Sequence, residues 1–252
     1  MQDSAHTASS TPSDARLGAV QLRAGDAGRA ARFFAALLSA DPQRAPARGF
    51  DPGSLRSDAQ TVGSSPFVKH PMDAVFTDDQ TAPPARLCFS TKDPKIHVAR
   101  ATALGGYGAD SADLRDNQGV PIGFFARSVE NAQSARAHTF TGALDVVLVF
   151  VRDTAKAREF YRQLLGQEFT KVGTGDYWWS DGGPAVGVFA ATNDVQIEPF
   201  FCVSDLERSM TAVRELSGTT LERYTMGPYH ACDCRDDQGT LFGLWWSPHN
   251  DL

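Results

Sequence analysis

Several classes of function are excluded by what this 252-residue sequence lacks. With 24 Lys and Arg against 30 Asp and Glu, its formal net charge is −6, so it has no basic excess for nucleic acid or anionic membranes. No apolar run approaches the ~18 residues of a membrane-spanning helix. Four cysteines in a chain of this length do not make a disulfide framework. We therefore expect a reduced, cytoplasmic monomer or homodimer whose partner is a small molecule.

Composition along the chain predicts where ordered domains begin and end. Residues 1–15 are polar and rich in Ser and Thr, without a basic start and an apolar core, and indicate a disordered tail rather than a signal peptide. Pro, Gly, Asp and Ser dominate 42–65, which is typical of a long loop or insertion. Polar residues 127–141 indicate a linker. The sequence thus predicts one domain over 16–126 and a second over 142–252.

An internal repeat connects these two halves. Two stretches, each opening with an Asp that can cap a helix, match at a constant offset of 127 residues (153 − 26). The matching residues are Asp26, Arg29, Phe33, Phe34, Leu37 and Leu38 in the first half and Asp153, Lys156, Phe160, Tyr161, Leu164 and Leu165 in the second. Their spacing forms one apolar stripe on a helix, and strand-like runs precede them at Ala19–Ala24 and Val146–Val151.

Two weaker repeats extend the pattern. A second pair of predicted helices begins at Asp93-Pro94 and at Asp205, each after a strand-like run, Arg86–Ser90 and Glu198–Val203. A turn followed by a strand closes each half, at Asp116-Asn-Gln-Gly-Val-Pro-Ile-Gly-Phe-Phe and at Asp236-Asp-Gln-Gly-Thr-Leu-Phe-Gly-Leu-Trp. The order of strand, helix and strands therefore occurs four times.

At these residues the chain resembles the glyoxalase, bleomycin-resistance and extradiol-dioxygenase superfamily, also called vicinal oxygen chelate proteins. It is most similar to tandem, actinomycete-type members whose closing strand follows Asp-x-x-Gly-x-x-Phe-Gly-Leu-Trp, here Asp236 to Trp245. The resemblance implies an α+β fold of four βαβββ modules that form two domains with open β-cups. It implies less about function, because one fold hosts many activities.

The resemblance also assigns positions to metal ligands. In that family one ligand lies on the first strand of a module, seven residues before the capping acid, and another is a Glu four residues after the turn glycine. The corresponding residues here are Ala19, Arg86, Val146, Glu198, Gly123 and Gly243. Only Glu198 can ligate a metal, whereas a catalytic divalent ion normally takes three protein ligands. We therefore expect no metal in either cup, and no other cofactor.

Strand alternation predicts which side chains face each cup. The first cup would carry polar and cationic residues, Gln21, Arg23, Arg86 and Ser90, which suit a carboxylate, phosphate or enolate. The second would carry Leu148, Phe150, Phe200, Trp245 and Trp178 around Glu198, which suits a flat apolar ligand. This contrast depends on each half closing its own cup; if the first module pairs with the fourth, the two sets are redistributed.

Each candidate residue also has a plainer interpretation. Glu198 is either a general base or hydrogen-bond anchor, or a solvent-exposed carboxylate at a strand start. Arg86 and Arg23 either bind an anion or pair with surface acids. One Trp of each adjacent pair should face the helices. His230, Cys232 and Cys234 share one strand face, but their spacing and the lack of a second Cys/His pair disfavour zinc.

Two functions remain open at this stage. The first is metal-independent binding of an aromatic or carbonyl-bearing molecule, for sequestration and resistance or in specialised metabolism. The second is a metal-independent lyase, isomerase or cyclase that uses Glu198 or Arg86 on an enolisable substrate. A metal-dependent glyoxalase or dioxygenase is the least favoured interpretation, because the ligand positions hold the wrong side chains.

Overall fold

A computed structural model describes residues 15–39, 72–108, 110–126, 137–144, 146–172, 174–181, 185–192, 194–226 and 229–246. The predicted tail, apart from Ala15, and the predicted insertion at 42–65 lie outside these ranges. In the first half the elements are β1 Arg16–Arg23, α1 Ala27–Ser39, β2 Met72–Thr77, β3 Ala85–Thr91, α2 Pro94–Ala103, β4 Ile122–Ala126 and β5 Ala137–Leu144. In the second they are β6 Val146–Val151, α3 Thr154–Leu165, β7 Glu168–Lys171, β8 Tyr177–Asp181, β9 Ala185–Ala190, β10 Gln196–Cys202, α4 Leu206–Glu215, β11 Thr219–Met226, β12 Tyr229–Arg235 and β13 Leu241–Trp246.

The four helices begin where the repeated acids predict. Asp26, Asp93, Asp153 and Asp205 each accept a hydrogen bond from a backbone N–H of the first helical turn, at 2.9–3.0 Å. The first strand of each module also lies where the sequence predicts it, within three residues at each end. The repeat is thus confirmed as a structural repeat, and the α+β fold with it.

Each half builds its own sheet. In the second half the strand order is β11-β12-β13-β10-β6-β9-β8-β7, with β6 and β10 antiparallel at the centre and a parallel closing strand beside each. In the first half the order is β4-β3-β1-β2-β5, with the equivalent antiparallel centre of β1 and β3. The first module therefore pairs with the second and the third with the fourth, which is the arrangement on which the two-cup contrast depends.

Strand β5 overlaps the stretch that the sequence analysis assigns to a linker. Ala137–Leu144 runs antiparallel to β2 and extends the first sheet by one strand. Part of the predicted linker, 137–141, therefore belongs to a sheet, while 127–136 lies outside the described residues.

Helices of one half cover strands of the other. Phe34 in α1 stacks on Phe201 of β10 at 5.0 Å between ring centroids and meets the edge of Phe242 in β13 at 4.9 Å. Tyr161 in α3 reaches the turn before β4, where its hydroxyl donates to Asp116. A single apolar core consequently runs beneath both sheets. No helix in the described part of the chain combines the length and apolar character needed to cross a membrane.

Candidate functional site

The sheet of the second half buries apolar side chains on both faces. Val147, Phe201 and Leu244 face the helices, whereas their chain neighbours face the other way because strand side chains alternate. We call this other surface the second cup; its buried floor consists of Val146, Leu148, Phe189, Phe200, Ala231 and Trp245. Of the predicted aromatic face, Leu148, Phe200 and Trp245 thus lie together.

Around this floor stands a rim of half-buried side chains. Phe150, Trp179, Cys202, Tyr224 and Tyr229 pack against the floor and remain partly accessible to solvent. Ring contacts connect rim and floor: Tyr229 lies 5.1 Å from Trp245, and Phe150 lies 5.6 Å from Phe189, between centroids. Because floor residues such as Phe200 are only 1% exposed, the rim supplies the surface that a ligand can touch.

Glu198 lies in this cup, and its side chain is buried. Only 2% of the residue is exposed, so the exposed-carboxylate interpretation of this position is wrong. Its Oε2 accepts a hydrogen bond from Gln196 Nε2 at 3.3 Å. Burial, followed by the charge of Asp233 and a hydrogen bond with it, raises the pKa of Glu198 from 4.5 to about 8. At neutral pH this carboxyl therefore holds its proton.

The partner carboxyl, Asp233, is anchored from β11. Tyr224 donates its hydroxyl proton to Asp233 Oδ1 at 2.8 Å. Burial raises the pKa of Asp233, while its hydrogen bonds with Tyr224 and Glu198 lower it. Among the described residues, Glu198 Oε1 has no hydrogen-bond partner. A hydrogen bond between the Glu198 and Asp233 carboxyls requires one of them to carry a proton. The cluster of Glu198, Asp233 and Tyr224 is thus a pair of acids with one proton between them and one net negative charge.

Strand pairing extends the test of the metal positions to all four modules. In parallel register, Gln21 pairs with Val75, Cys88 with Gly123, Leu148 with Gly187 and Phe200 with Gly243, so the closing-strand positions are Val75, Gly123, Gly187 and Gly243. None has a metal-binding side chain. Within the described ranges, no three His, Cys, Asp or Glu side chains are grouped to hold an ion. The residues present do not fit the chelated metal that the fold family implies.

At the centre of the second cup, an aromatic ring occupies the space of the missing ligand. A β-carbon built on Gly243 would lie 2.0 Å from Cε1 of Phe200. A β-carbon on Gly187 would likewise lie 2.6 Å from the ring of Phe189. A carboxylate at either position is therefore sterically incompatible with the rings as they stand.

In the first cup, the predicted arginines contact the chain itself. Arg23 Nη1 donates to the backbone carbonyls of Gln80 at 3.3 Å and Ala82 at 3.0 Å. Arg86 Nη2 donates to the carbonyl of Ala112. Both guanidinium groups thus stabilise loops beside the sheet. The sequence predicted that they bind an anion or pair with a surface acid, but the hydrogen bonds seen here go to backbone carbonyls.

The remaining first-cup residues form a polar, half-exposed surface. Gln21 and Ser90 are partly buried on the strands predicted for them. Between them lies Cys88, whose burial raises the pKa of its thiol to about 11. This surface therefore has polar groups but lacks the buried, paired acids of the second cup.

The two tryptophans of β8 face opposite sides of the sheet. Trp178, which the sequence analysis places in the cup, packs against the helix-side core, with Arg158 stacked 3.4 Å above its ring and its Nε1 donating to Asp176 at 2.7 Å. Trp179 faces the cup instead, 6.1 Å from Phe189. Trp179 therefore takes the place of Trp178 among the residues that face the cup, because strand alternation places one Trp of the pair on each face without saying which.

Strand β12 supplies the functional residue that sequence reasoning missed. Cys232 and Cys234 are buried in the helix-side core, with their sulfur atoms 3.9 Å apart. Alternation then directs Asp233 into the cup, and the same rule applied to the cysteine pair would have found it. A surface groove of about 390 Å³, which includes Arg223, His230 and Trp246 in its lining, borders none of the cup residues.

Comparison with known proteins finds similarity in structure only. No protein-family model matches the chain, and no curated protein matches its sequence. Among solved structures, the 2,3-dioxygenase LapB from Pseudomonas sp. KL28 is 13% identical with a TM-score of 0.57, over 92% of this chain and 92% of that one. Methylmalonyl-CoA epimerase from Mycobacterium tuberculosis is 17% identical with a TM-score of 0.37, over 42% of this chain and 88% of that one. The similarity to LapB, which covers 92% of both chains, shows the fold alone.

Proposed function

We propose that this chain, which has the fold of the vicinal oxygen chelate superfamily, binds a small aromatic or carbonyl-containing molecule in its second cup without a metal ion. The observation that carries the proposal is that the positions expected to supply metal ligands hold side chains that cannot bind a metal, with one exception. Eight positions should supply metal ligands, and Glu198 alone has a suitable group, while Phe200 covers Gly243. An aromatic surface around the buried Glu198 and the half-buried Asp233 takes the place of the chelate.

The physical argument concerns what such a surface recognises. Aromatic rings bury large apolar area and stack on flat ligands, and half-buried rings such as Phe150, Trp179 and Tyr229 keep that area available. A few polar groups in an apolar site fix the orientation of a ligand. Glu198 and Asp233 are the polar groups here, so the ligand should combine a flat apolar part with one polar or charged group.

Intrinsic fluorescence tests the proposal, because all four tryptophans lie in the second half. Titration with aromatic ketones should change the emission, and the change should be the same with and without EDTA. Metal analysis of the purified protein should find no stoichiometric divalent ion. Binding that appears only after Mn²⁺, Fe²⁺, Ni²⁺ or Zn²⁺ is added would contradict the proposal.

Adjacent tryptophans provide matched controls. Trp245→Phe and Trp179→Phe should each reduce the ligand-induced change, and the double variant should abolish most of it, since both rings face the cup. Trp246→Phe and Trp178→Phe should retain it, since both rings pack against the helix-side core. Equal loss in all four variants would place the binding surface elsewhere.

A second candidate function is proton transfer on an enolisable ligand, and the buried carboxyl of Glu198 favours it. A carboxyl that holds its proton near neutral pH can donate or accept one at modest cost. Glu198→Gln keeps the shape and removes this chemistry. Turnover of an aromatic keto acid, lost in Glu198→Gln while binding persists, would establish a lyase or isomerase; unchanged absence of turnover in both proteins would leave binding as the function.

A further inference from the structure

The acid pair in the second cup carries a charge that its hydrogen-bond donors among the described residues do not cancel. Glu198 and Asp233 share one proton, which leaves one negative charge within the aromatic surface. Tyr224 and Gln196 donate neutral hydrogen bonds to this pair. Such bonds disperse the charge but do not cancel it, and a charge in an apolar setting favours an oppositely charged partner.

The charged groups that face the pair have mixed signs. On β12 Arg235 attracts the pair, but its Nη1 also donates to the Gly239 carbonyl at 2.7 Å. On β11 Glu222 adds a second negative charge near Asp233. The neighbours on β6 and β13, Leu148 and Leu241, are apolar, and the thiol of Cys234 lies on the opposite face. Negative charge therefore predominates around the carboxyls.

The aromatic rim adds a second, independent preference. Ring faces carry a negative quadrupole potential and attract organic cations. Five aromatic residues belong to the floor and rim of the same cup: Phe150, Trp179, Phe200, Tyr229 and Trp245. Of these, Phe200 lies two residues from Glu198 on β10, and Phe150 pairs with Gln196 on the neighbouring strand. Carboxyl groups and ring faces thus favour the same kind of ligand.

We infer that the ligand class of the second cup is a small aromatic cation, whose ammonium group takes the place of the shared proton beside Glu198 and Asp233. This inference rests on the proposed function and narrows it, since it selects a cationic ligand over a neutral carbonyl compound. The carbonyl alternative is weaker because the Glu198 proton is already engaged by Asp233 and is not free to reach a ligand oxygen.

Exchange of a proton for a cation gives a pH dependence of defined sign. Below about pH 8 the pair holds its proton, and a cation must displace it, so affinity should rise with pH. If displacement is complete, the dissociation constant falls about tenfold per pH unit below that value and levels off above it. A neutral carbonyl ligand that accepts the Glu198 proton would bind more weakly as pH rises.

Three probes with fixed charge separate these cases in fluorescence titrations of the full chain between pH 6 and pH 9. Phenyltrimethylammonium carries a permanent positive charge and does not titrate. tert-Butylbenzene has the same shape without the charge, and acetophenone offers a carbonyl oxygen. We expect phenyltrimethylammonium to bind at least about tenfold more tightly than tert-butylbenzene at pH 8, given the strength of desolvated cation–π contacts and its attraction to the acid pair. Its calorimetric titration in buffers of different ionisation enthalpy should release protons at pH 7.

Matched variants connect the preference to the acid pair. Glu198→Gln should reduce the cation preference at least fivefold and abolish the pH dependence, while tert-butylbenzene binding is retained. Asp233→Asn should also reduce the cation preference and its pH dependence. Agreement between the two variants would show that the effect of Glu198→Gln is not caused by misfolding. Glu207→Gln removes one charge on the opposite side of the sheet, where Glu207 pairs with Arg223, and should change neither property.

The outcomes distinguish failure of the inference from failure of the proposed function. Equal affinity for phenyltrimethylammonium and tert-butylbenzene, or acetophenone binding that weakens as pH rises, would overturn the cation assignment and leave a binding cup in place. Absence of a response to all three probes would overturn both. Tighter cation binding at high pH that persists in Glu198→Gln and Asp233→Asn would also overturn the assignment.

Discussion

The hydroxyl of Tyr161 donates a 2.8 Å hydrogen bond to Oδ2 of Asp116, and this bond joins the two halves of the chain. Asp116 Oδ1 accepts from the backbone N–H groups of Gln118 and Val120, so the carboxylate organises the turn before β4. In the repeat, Phe34 stands in the place of Tyr161 and Asp236 in that of Asp116. Within the part of the chain that the structure describes, Asp236 Oδ2 is buried without a hydrogen-bond partner. The hydrogen bond between the halves is therefore formed at Asp116 and has no counterpart at Asp236.

Tyr161→Phe should destabilise the fold. Loss of the hydroxyl leaves Asp116 Oδ2 buried without its donor, which costs about 1–3 kcal/mol. Urea denaturation followed by circular dichroism measures the change, with Tyr177→Phe, an exposed tyrosine of β8, as the control expected to stay near wild type. Equal stabilities of Tyr161→Phe and wild type would show that the bond contributes nothing.

Phe34→Tyr should have the opposite effect. By the repeat, its hydroxyl would approach Asp236 Oδ2 and supply the missing donor, with a gain of about 1 kcal/mol. The thermal midpoint should rise relative to wild type. A fall would mean that the ring contacts of Phe34 with Phe76 and Phe201 leave no room for an oxygen atom.

Stability should fall as pH rises through the range set by Glu198. In the unfolded chain this carboxyl ionises near 4.5, whereas burial holds its proton to about pH 8 in the folded protein. Unfolding between these values releases a proton, so each pH unit costs up to ~1.4 kcal/mol of folding free energy. Glu198→Gln carries no ionisable proton, and the difference between the two stability curves should grow from pH 5 to pH 8 and then level off. Parallel curves would contradict a raised pKa.

Gly243→Ala should destabilise the second cup, because the added methyl group collides with the Phe200 ring. Such overpacking typically costs about 1–3 kcal/mol. Gly123→Ala is the matched control in the first half, where the nearest neighbour of the added carbon, Arg86 Cδ, lies 3.4 Å away. The double variant Gly243→Ala, Phe200→Leu should recover part of the loss if the collision is its cause.

The elements that repeat are those that sequence predicts best. Capping acids, apolar stripes and closing turns recur, so each copy supports the other, and the four helices and their preceding strands follow. The resemblance to the vicinal oxygen chelate superfamily places the metal positions, each counted from a capping acid or a turn glycine. The helices and strands follow from local spacing alone, which does not require knowledge of the tertiary fold.

Tertiary contacts account for what the sequence did not reveal. The pairing of Glu198 with Asp233 joins β10 to β12 across β13, and no local pattern specifies it. Arg23 and Arg86 have cationic side chains in cup positions, yet distant loop carbonyls accept their hydrogen bonds. Which of Trp178 and Trp179 faces the cup depends on the register of β8, and the sequence of so short a strand does not fix that register.

The crossing of α1 over β10 and β13 means that the two copies cannot be separated without damage. A truncation that keeps only the second copy would remove Phe34 and expose Phe201 and Phe242 to water. Such an exposed hydrophobic patch promotes self-association. The helix of the first copy therefore completes the core of the second, and the stability of each copy depends on the other.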